Sequence, residues 1–259
     1  MWLTIRHDMG AYRFVGRDGV DLACSETGSG RALILLHGFM GAGSHWLEQG
    51  KVDALAEQGD RVVLPDLRGH GESAKPHDPA AYPPDVLADD GLALVEHLGL
   101  GDGDYDLGGY SLGARIVVRM LARGAKPRRA IVAGQGLAKV SGPQGGGTTH
   151  RVLTALVDGV EIEPDSADAR MAYWISKLGA DPRALLYVSE SLVPTPEDAL
   201  RKITIPTLVA IGDQDERSDA DQLAALLPDA RFVRVPGDHW GAFTAPELAA
   251  AIAAFLAEH

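Results

Sequence analysis

Ser111 lies between two glycines in Gly109-Tyr-Ser-Leu-Gly113, a G-x-S-x-G pattern with an apolar strand-like run before it and a helical run after it. A serine held at a strand-to-helix turn projects its hydroxyl outward. The turn is tight enough that side chains two residues to either side would collide, which is why glycines stand there. A hydroxyl is a weak nucleophile, so a base must take its proton. Of the nine histidines, His239 is best placed, just after the strand-like run Ala230–Val235 and ahead of the last helix. An imidazole acting as base needs a third group to orient it and to stabilise its charged form. Gly212-Asp-Gln-Asp215 offers two carboxylates at the end of another apolar run. Asp215, three residues past Gly212, is the preferred partner and Asp213 the alternative. Asp238 adjoins His239, but sequence neighbours rarely present their side chains to each other. The chemistry such a set performs is base-assisted attack of serine oxygen on an electrophilic carbon.

Three such residues, spread over more than a hundred positions, need a scaffold that brings strand ends together. Residues 12–16 and 20–26 read as a hairpin around Arg17-Asp-Gly19. Arg31–Gly38, Arg61–Asp66, Tyr105–Tyr110, Arg128–Gly134, Pro206–Gly212 and Ala230–Val235 read as strands, several of them continuous apolar runs suited to burial on both faces. Between them lie helical patterns over Trp46–Gln58, Asp85–Leu98, Leu112 to about Gly124, and Asp219–Leu227. Thr244 with Glu247 three residues on resembles a capping box opening the last helix. Strands alternating with helices predict a mostly parallel sheet with helices on both faces, one α/β domain over 1–259. In such sheets ligands lie beyond the carboxyl ends of the strands. The alternation lapses over residues 137–202, where a Gly-rich loop at 142–147 precedes short amphipathic segments, so a small helical lid is expected there.

The composition, 46% hydrophobic and 23% charged, is that of a globular chain, and a net charge of −12 argues against nucleic acid and anionic membrane as partners. A single cysteine, Cys24, excludes an intrachain disulfide and suits a reducing compartment. The N-terminus lacks the apolar core of a signal peptide and no run approaches the length of a membrane span, which makes a cytoplasmic location the expectation.

The order Ser111, Asp215, His239 resembles that of the α/β-hydrolase superfamily in its serine-nucleophile branch. His37-Gly-Phe39 after the first core strand resembles that family's oxyanion loop, Asp66-Leu-Arg-Gly-His-Gly-Glu-Ser73 its D-x-R-G-x-G-x-S segment, and the residues around Ser111 its nucleophile elbow. The resemblance implies the α/β-hydrolase fold, no cofactor and no metal. It also implies an oxyanion hole made by the backbone N–H groups of Phe39 and Leu112. His37, Gly38, Arg68 and His70 are read as structural. Relatives that open epoxides or carbon–halogen bonds carry aspartate at the elbow, so serine points to acyl transfer on small esters, thioesters, lactones, amides or diketones. Cofactor-free perhydrolases share the same three residues.

Tyr110-Ser-Leu-Gly-Ala-Arg115, together with residues 37–46, also resembles the menaquinone-pathway cyclohexadiene-carboxylate synthases. These use the three residues for proton abstraction and pyruvate elimination, and an arginine at the position of Arg115 binds a substrate carboxylate. The chain departs from them at Ala114 and after His239, and their second arginine has no clear counterpart here beyond Arg151. Arg115, Tyr110 and Trp174 are therefore the weaker substrate-binding candidates, with Tyr173, Tyr187, Trp46 and Trp240 as further aromatic ones. A non-catalytic relative used for binding is the remaining alternative, disfavoured because all three reactive residues are present.

Overall fold

The computed structural model describes residues 9–258 apart from 51, 53–54, 57–58 and 143–146. The N-terminal residues read for a signal peptide, and Gly145 and Gly146 of the Gly-rich loop, lie outside the described residues.

Eight strands form one sheet: β1 Gly10–Val15, β2 Asp21–Gly28, β3 Arg31–Leu36, β4 Asp60–Pro65, β5 Tyr105–Tyr110, β6 Ala130–Ala133, β7 Thr207–Gly212 and β8 Ala230–Val235. Their order is β1-β2-β4-β3-β5-β6-β7-β8. The first hairpin pairs antiparallel, as does β2 with β4, and every pairing from β4 onward is parallel. This is the α/β-hydrolase fold. The central strands β5, β6 and β7 are buried at every position, as apolar runs sandwiched between helices must be. One core layer holds α1 (Val86–His97) and α2 (Leu112–Ala122) against the sheet, including Leu94, Ile116, Val117 and Met120. The opposite layer is closed by the C-terminal helix Pro246–Leu256, with Leu248, Ile252 and Phe255 buried.

Residues 137–202 form a run of helices between β6 and β7: α3 Leu137–Ser141, α4 Gly147–Asp158, α5 Ala167–Lys177, α6 Pro182–Ser191 and α7 Glu197–Leu200; α8, Ala220–Leu226, follows β7. Val152, Leu153, Ile175, Leu185 and Leu186 give them a small core of their own, and Phe39 and Met40 of the loop after β3 pack against it. Among the described residues no helix is long and apolar enough to cross a membrane.

Three local expectations are corrected. Thr244 does not cap the last helix; it ends the short helix α9, His239–Thr244, and its hydroxyl donates back to the carbonyls of Trp240 and Gly241. The last helix, α10, starts instead at Pro246, whose ring suits the first turn because no N–H is needed there. The helix expected at Trp46–Gln58 is a 3-10 helix over Gly43–Gly50, with residues 52 and 55–56 helical beyond it. Trp46 is buried in the core, its ring meeting Phe243 at 5.1 Å, and so does not reach a cavity mouth.

Candidate active site

All three reactive candidates fall at the carboxyl edge of the sheet. Ser111 follows β5 directly, Asp215 lies three residues past β7, and His239 lies four residues past β8. Ser111 sits at φ 54° and ψ −110°, a region that non-glycine residues rarely occupy. Its N–H donates to the Ala133 carbonyl at 2.8 Å, which helps hold the turn. The turn closes so tightly that a Cβ at Gly109 would lie 2.3 Å from the Gly113 carbonyl carbon, and one at Gly113 would lie 2.2 Å from the Leu36 carbonyl oxygen. Both contacts are with backbone, which cannot move aside, so the glycine spacing read in the sequence has a steric cause.

The side chains form a continuous hydrogen-bonded chain. His239 Nδ1–H donates to Asp215 Oδ2 at 2.7 Å, and the Ser111 hydroxyl donates to His239 Nε2 at 3.0 Å. The ionised carboxylate, an acceptor only, places the imidazole proton on Nδ1 and leaves Nε2 free to accept. Asp213, the alternative acid, instead accepts from the Gly237 N–H at 2.9 Å and ties β7 to the loop after β8. Asp238 points away from the imidazole and caps α9, accepting from the N–H groups of Trp240 and Gly241.

Tyr110 donates its hydroxyl to the His239 carbonyl at 2.5 Å and packs on the imidazole with ring centres 5.2 Å apart. It lines the cavity in front of Ser111 together with Gly38, Phe39, Trp240 and Phe243. Phe39 and Leu112 flank Ser111 from the loop after β3 and the start of α2. His37 fixes the loop that carries Phe39. It accepts from the Leu67 N–H at 3.0 Å through Nε2, and its Nδ1 donates to the Gly38 carbonyl at 2.8 Å. Burial lowers the pKa of His37 to about 4, keeping it neutral for that role.

Two weaker candidates stand elsewhere. Trp174 is exposed and stacks edge-on against Tyr173, because Met171 and Ile175, one helical turn apart, take the inward face of α5. Tyr187 packs against Tyr82. Arg115 does not line the Ser111 cavity; it borders a separate pocket with Asp85, Arg119 and Ser191. Its Nη2 is buried without a partner among the described residues, and burial, with Arg119 nearby, lowers its pKa to about 10.

Arg217 is the residue that sequence reading passed over. Its N–H and guanidinium both reach Asp215 Oδ1, at 3.0 and 3.2 Å. Burial works against the Asp215 carboxylate, but the Arg217 N–H, the His239 ring and the Arg217 charge outweigh it and hold the carboxyl below its usual range. The pKa of His239 is lowered by burial first and by the Arg217 charge second, with Asp215 only partly offsetting them. The imidazole is thus neutral, and basic, at neutral pH. The sign of the Arg217 effect is testable. Removing the guanidinium in Arg217→Met should raise the imidazole pKa and move the acid limb of the kcat/KM–pH profile to higher pH. An unmoved or lowered inflection would refute this electrostatic account.

The sequence profile described as the alpha/beta hydrolase family matches residues 33–252. The chain belongs to that family and is an enzyme of the hydrolase class. It is 27% identical over 259 aligned residues to a non-heme chloroperoxidase of Kitasatospora aureofaciens, covering 89% of this chain and 92% of the relative. An epoxide hydrolase of Caballeronia sordidicola is 33% identical over 84 residues, covering 32% of this chain and 25% of the relative. A solved esterase from Thermogutta terrifontis, with malate bound, superposes with a TM-score of 0.74 at 25% identity, covering 95% of this chain and 98% of that one.

Proposed function

We propose that the chain is a serine hydrolase acting on a small carboxylic ester or related acyl compound. The observation that carries this reading is the hydrogen-bonded chain from Ser111 through His239 to Asp215. His239 Nε2 takes the hydroxyl proton as Ser111 Oγ attacks the carbonyl carbon, and the carbonyl oxygen becomes an oxyanion. The Phe39 and Leu112 N–H groups receive that oxyanion, and losing one such donor typically costs about 3 kcal/mol of transition-state stabilisation. Asp215 stabilises the imidazolium. His239 then gives the proton to the leaving alcohol, and the acyl group stays on Ser111. Water, deprotonated by the same imidazole, attacks the acyl-enzyme and releases the acid. The epoxide hydrolase relationship covers about a third of the chain, and serine in place of the expected elbow aspartate favours acyl transfer over epoxide opening.

Wild-type protein should hydrolyse p-nitrophenyl acetate and take a fluorophosphonate label on Ser111, and Ser111→Ala should do neither. Equal labelling of both proteins would sink the assignment.

Similarity to the chloroperoxidase along nearly the whole chain supports a second reaction at the same site. Hydrogen peroxide would replace water in the second half-reaction, converting the acyl-enzyme to a peracid. The elimination reading depends on Arg115 meeting a substrate carboxylate, and it gains nothing from an arginine that borders a different pocket.

A further inference from the structure

The space directly in front of Ser111 is small, about 40 Å³. That is room for a few waters, and its walls are mostly aromatic: Phe39, Tyr110, Trp240 and Phe243. Beside it lies a groove of about 380 Å³, and Gly41 and His45 border both spaces. The groove is lined by Met40 and His45 of the loop after β3, by His70, Glu72 and Lys75, and by Ala180 and Leu185 of the helical insertion. The groove is polar. Lys75 Nζ donates to the carbonyls of Gly71 and Ser73, which among the described residues leaves one of its three N–H donors uncommitted. Glu72, which also lines the groove, makes a second negative charge unwelcome and favours a neutral acceptor.

An ester bound at Ser111 has two arms, and the chemistry decides which goes where. The leaving oxygen of an alkyl ester must receive its proton from His239 Nε2, so a small alkyl alcohol arm stays beside His239, in the small aromatic cavity; p-nitrophenolate departs without a proton and is free of that requirement. None of Ser111, Asp215 and His239 borders the groove. Gly41 and His45, which border both spaces, give the other arm, on the acyl carbon, a way into the groove. We infer that the groove is the acyl subsite. The substrates are then esters of small alcohols whose acyl chain is extended and carries a neutral hydrogen-bond acceptor toward its far end. This inference rests on the serine-hydrolase reading and specifies its substrate class.

Two isomeric esters separate the arms: methyl ω-hydroxyhexanoate, with the long polar arm on the acyl side, and ω-hydroxypentyl acetate, with it on the alcohol side. Wild-type enzyme should prefer the first by about tenfold or more in kcat/KM, the range a matched pocket supplies. Ala180→Trp, which narrows the groove from the insertion side, should reduce that ratio toward one. Equal or reversed ranking in the wild type, neither isomer being hydrolysed, or a ratio untouched by Ala180→Trp in a folded variant would overturn the assignment of the groove. If Ala180→Trp fails to fold, the wild-type ranking decides alone. Absence of fluorophosphonate labelling and of p-nitrophenyl acetate turnover would instead defeat the hydrolase reading beneath it.

Discussion

Replacing Asp215 with asparagine should lower kcat by about 10⁴-fold while leaving the fold intact. The amide is close in shape to the carboxylate and can still bond to the ring. It also offers an N–H where only an acceptor belongs, and this favours the tautomer with its proton on Nε2. In that form the imidazole cannot accept from Ser111, and the imidazolium formed during attack loses its counter-charge. The measurement is steady-state turnover of p-nitrophenyl acetate, with circular dichroism to show that folding persists. Asp213→Asn serves as the control, because Asp213 bonds to the Gly237 N–H and does not touch the imidazole. If Asp213→Asn proved the more damaging change, the acid would be misassigned.

The second large effect concerns stability. Arg68 is buried, with its guanidinium bonded to both oxygens of Asp90, at 2.9 and 2.8 Å, and both oxygens of Asp18, at 2.6 Å each. It also donates to the Ala81 carbonyl. Burial raises the Asp90 pKa to about 6, even with Arg68 pulling the other way. Removing one partner of a buried pair strands the other charge, which typically costs about 3–5 kcal/mol. Arg68→Met should therefore destabilise the protein by about that amount in urea unfolding. Adding Asp90→Asn to it should recover part of the loss, because no buried carboxylate is then left unpaired. A single variant within 1 kcal/mol of wild type would show that the pair contributes far less than about 3 kcal/mol.

What the sequence disclosed and what it concealed follow from the range of the forces involved. The sheet was legible because strands buried on both faces must be apolar throughout, and β5, β6 and β7 are. The meeting of Ser111, His239 and Asp215 was legible because strand ends converge at one edge of a parallel sheet, and the glycine spacing around Ser111 has a local steric cause. Arg217 escaped because its effect is a through-space field on two groups, with no motif to mark it. Trp174 and Trp46 were misread because an aromatic residue on a short helix faces core, solvent or cavity according to the helix's rotation, and only tertiary packing fixes that rotation. Arg115 is a similar case: a place four residues past the serine sets its distance along α2 but leaves open which pocket its long side chain enters. At the last helix, the Thr244–Glu247 pattern competed with Pro246, and the proline's fixed backbone geometry won.

The separation of the reactive residues along the chain has a kinetic consequence. The Ser111–His239 hydrogen bond spans 128 residues, and it closes only when β5 and the segment beyond β8 stand on the same finished edge. Bonds between such distant residues form late, because a long stretch of chain must first be ordered for them. Secondary structure can return early in a refolding experiment, but turnover cannot return until this closure is complete. Recovered activity is thus a stopwatch for the final assembly of the molecule, and its lag behind the ellipticity signal measures the time between a formed sheet and a working one.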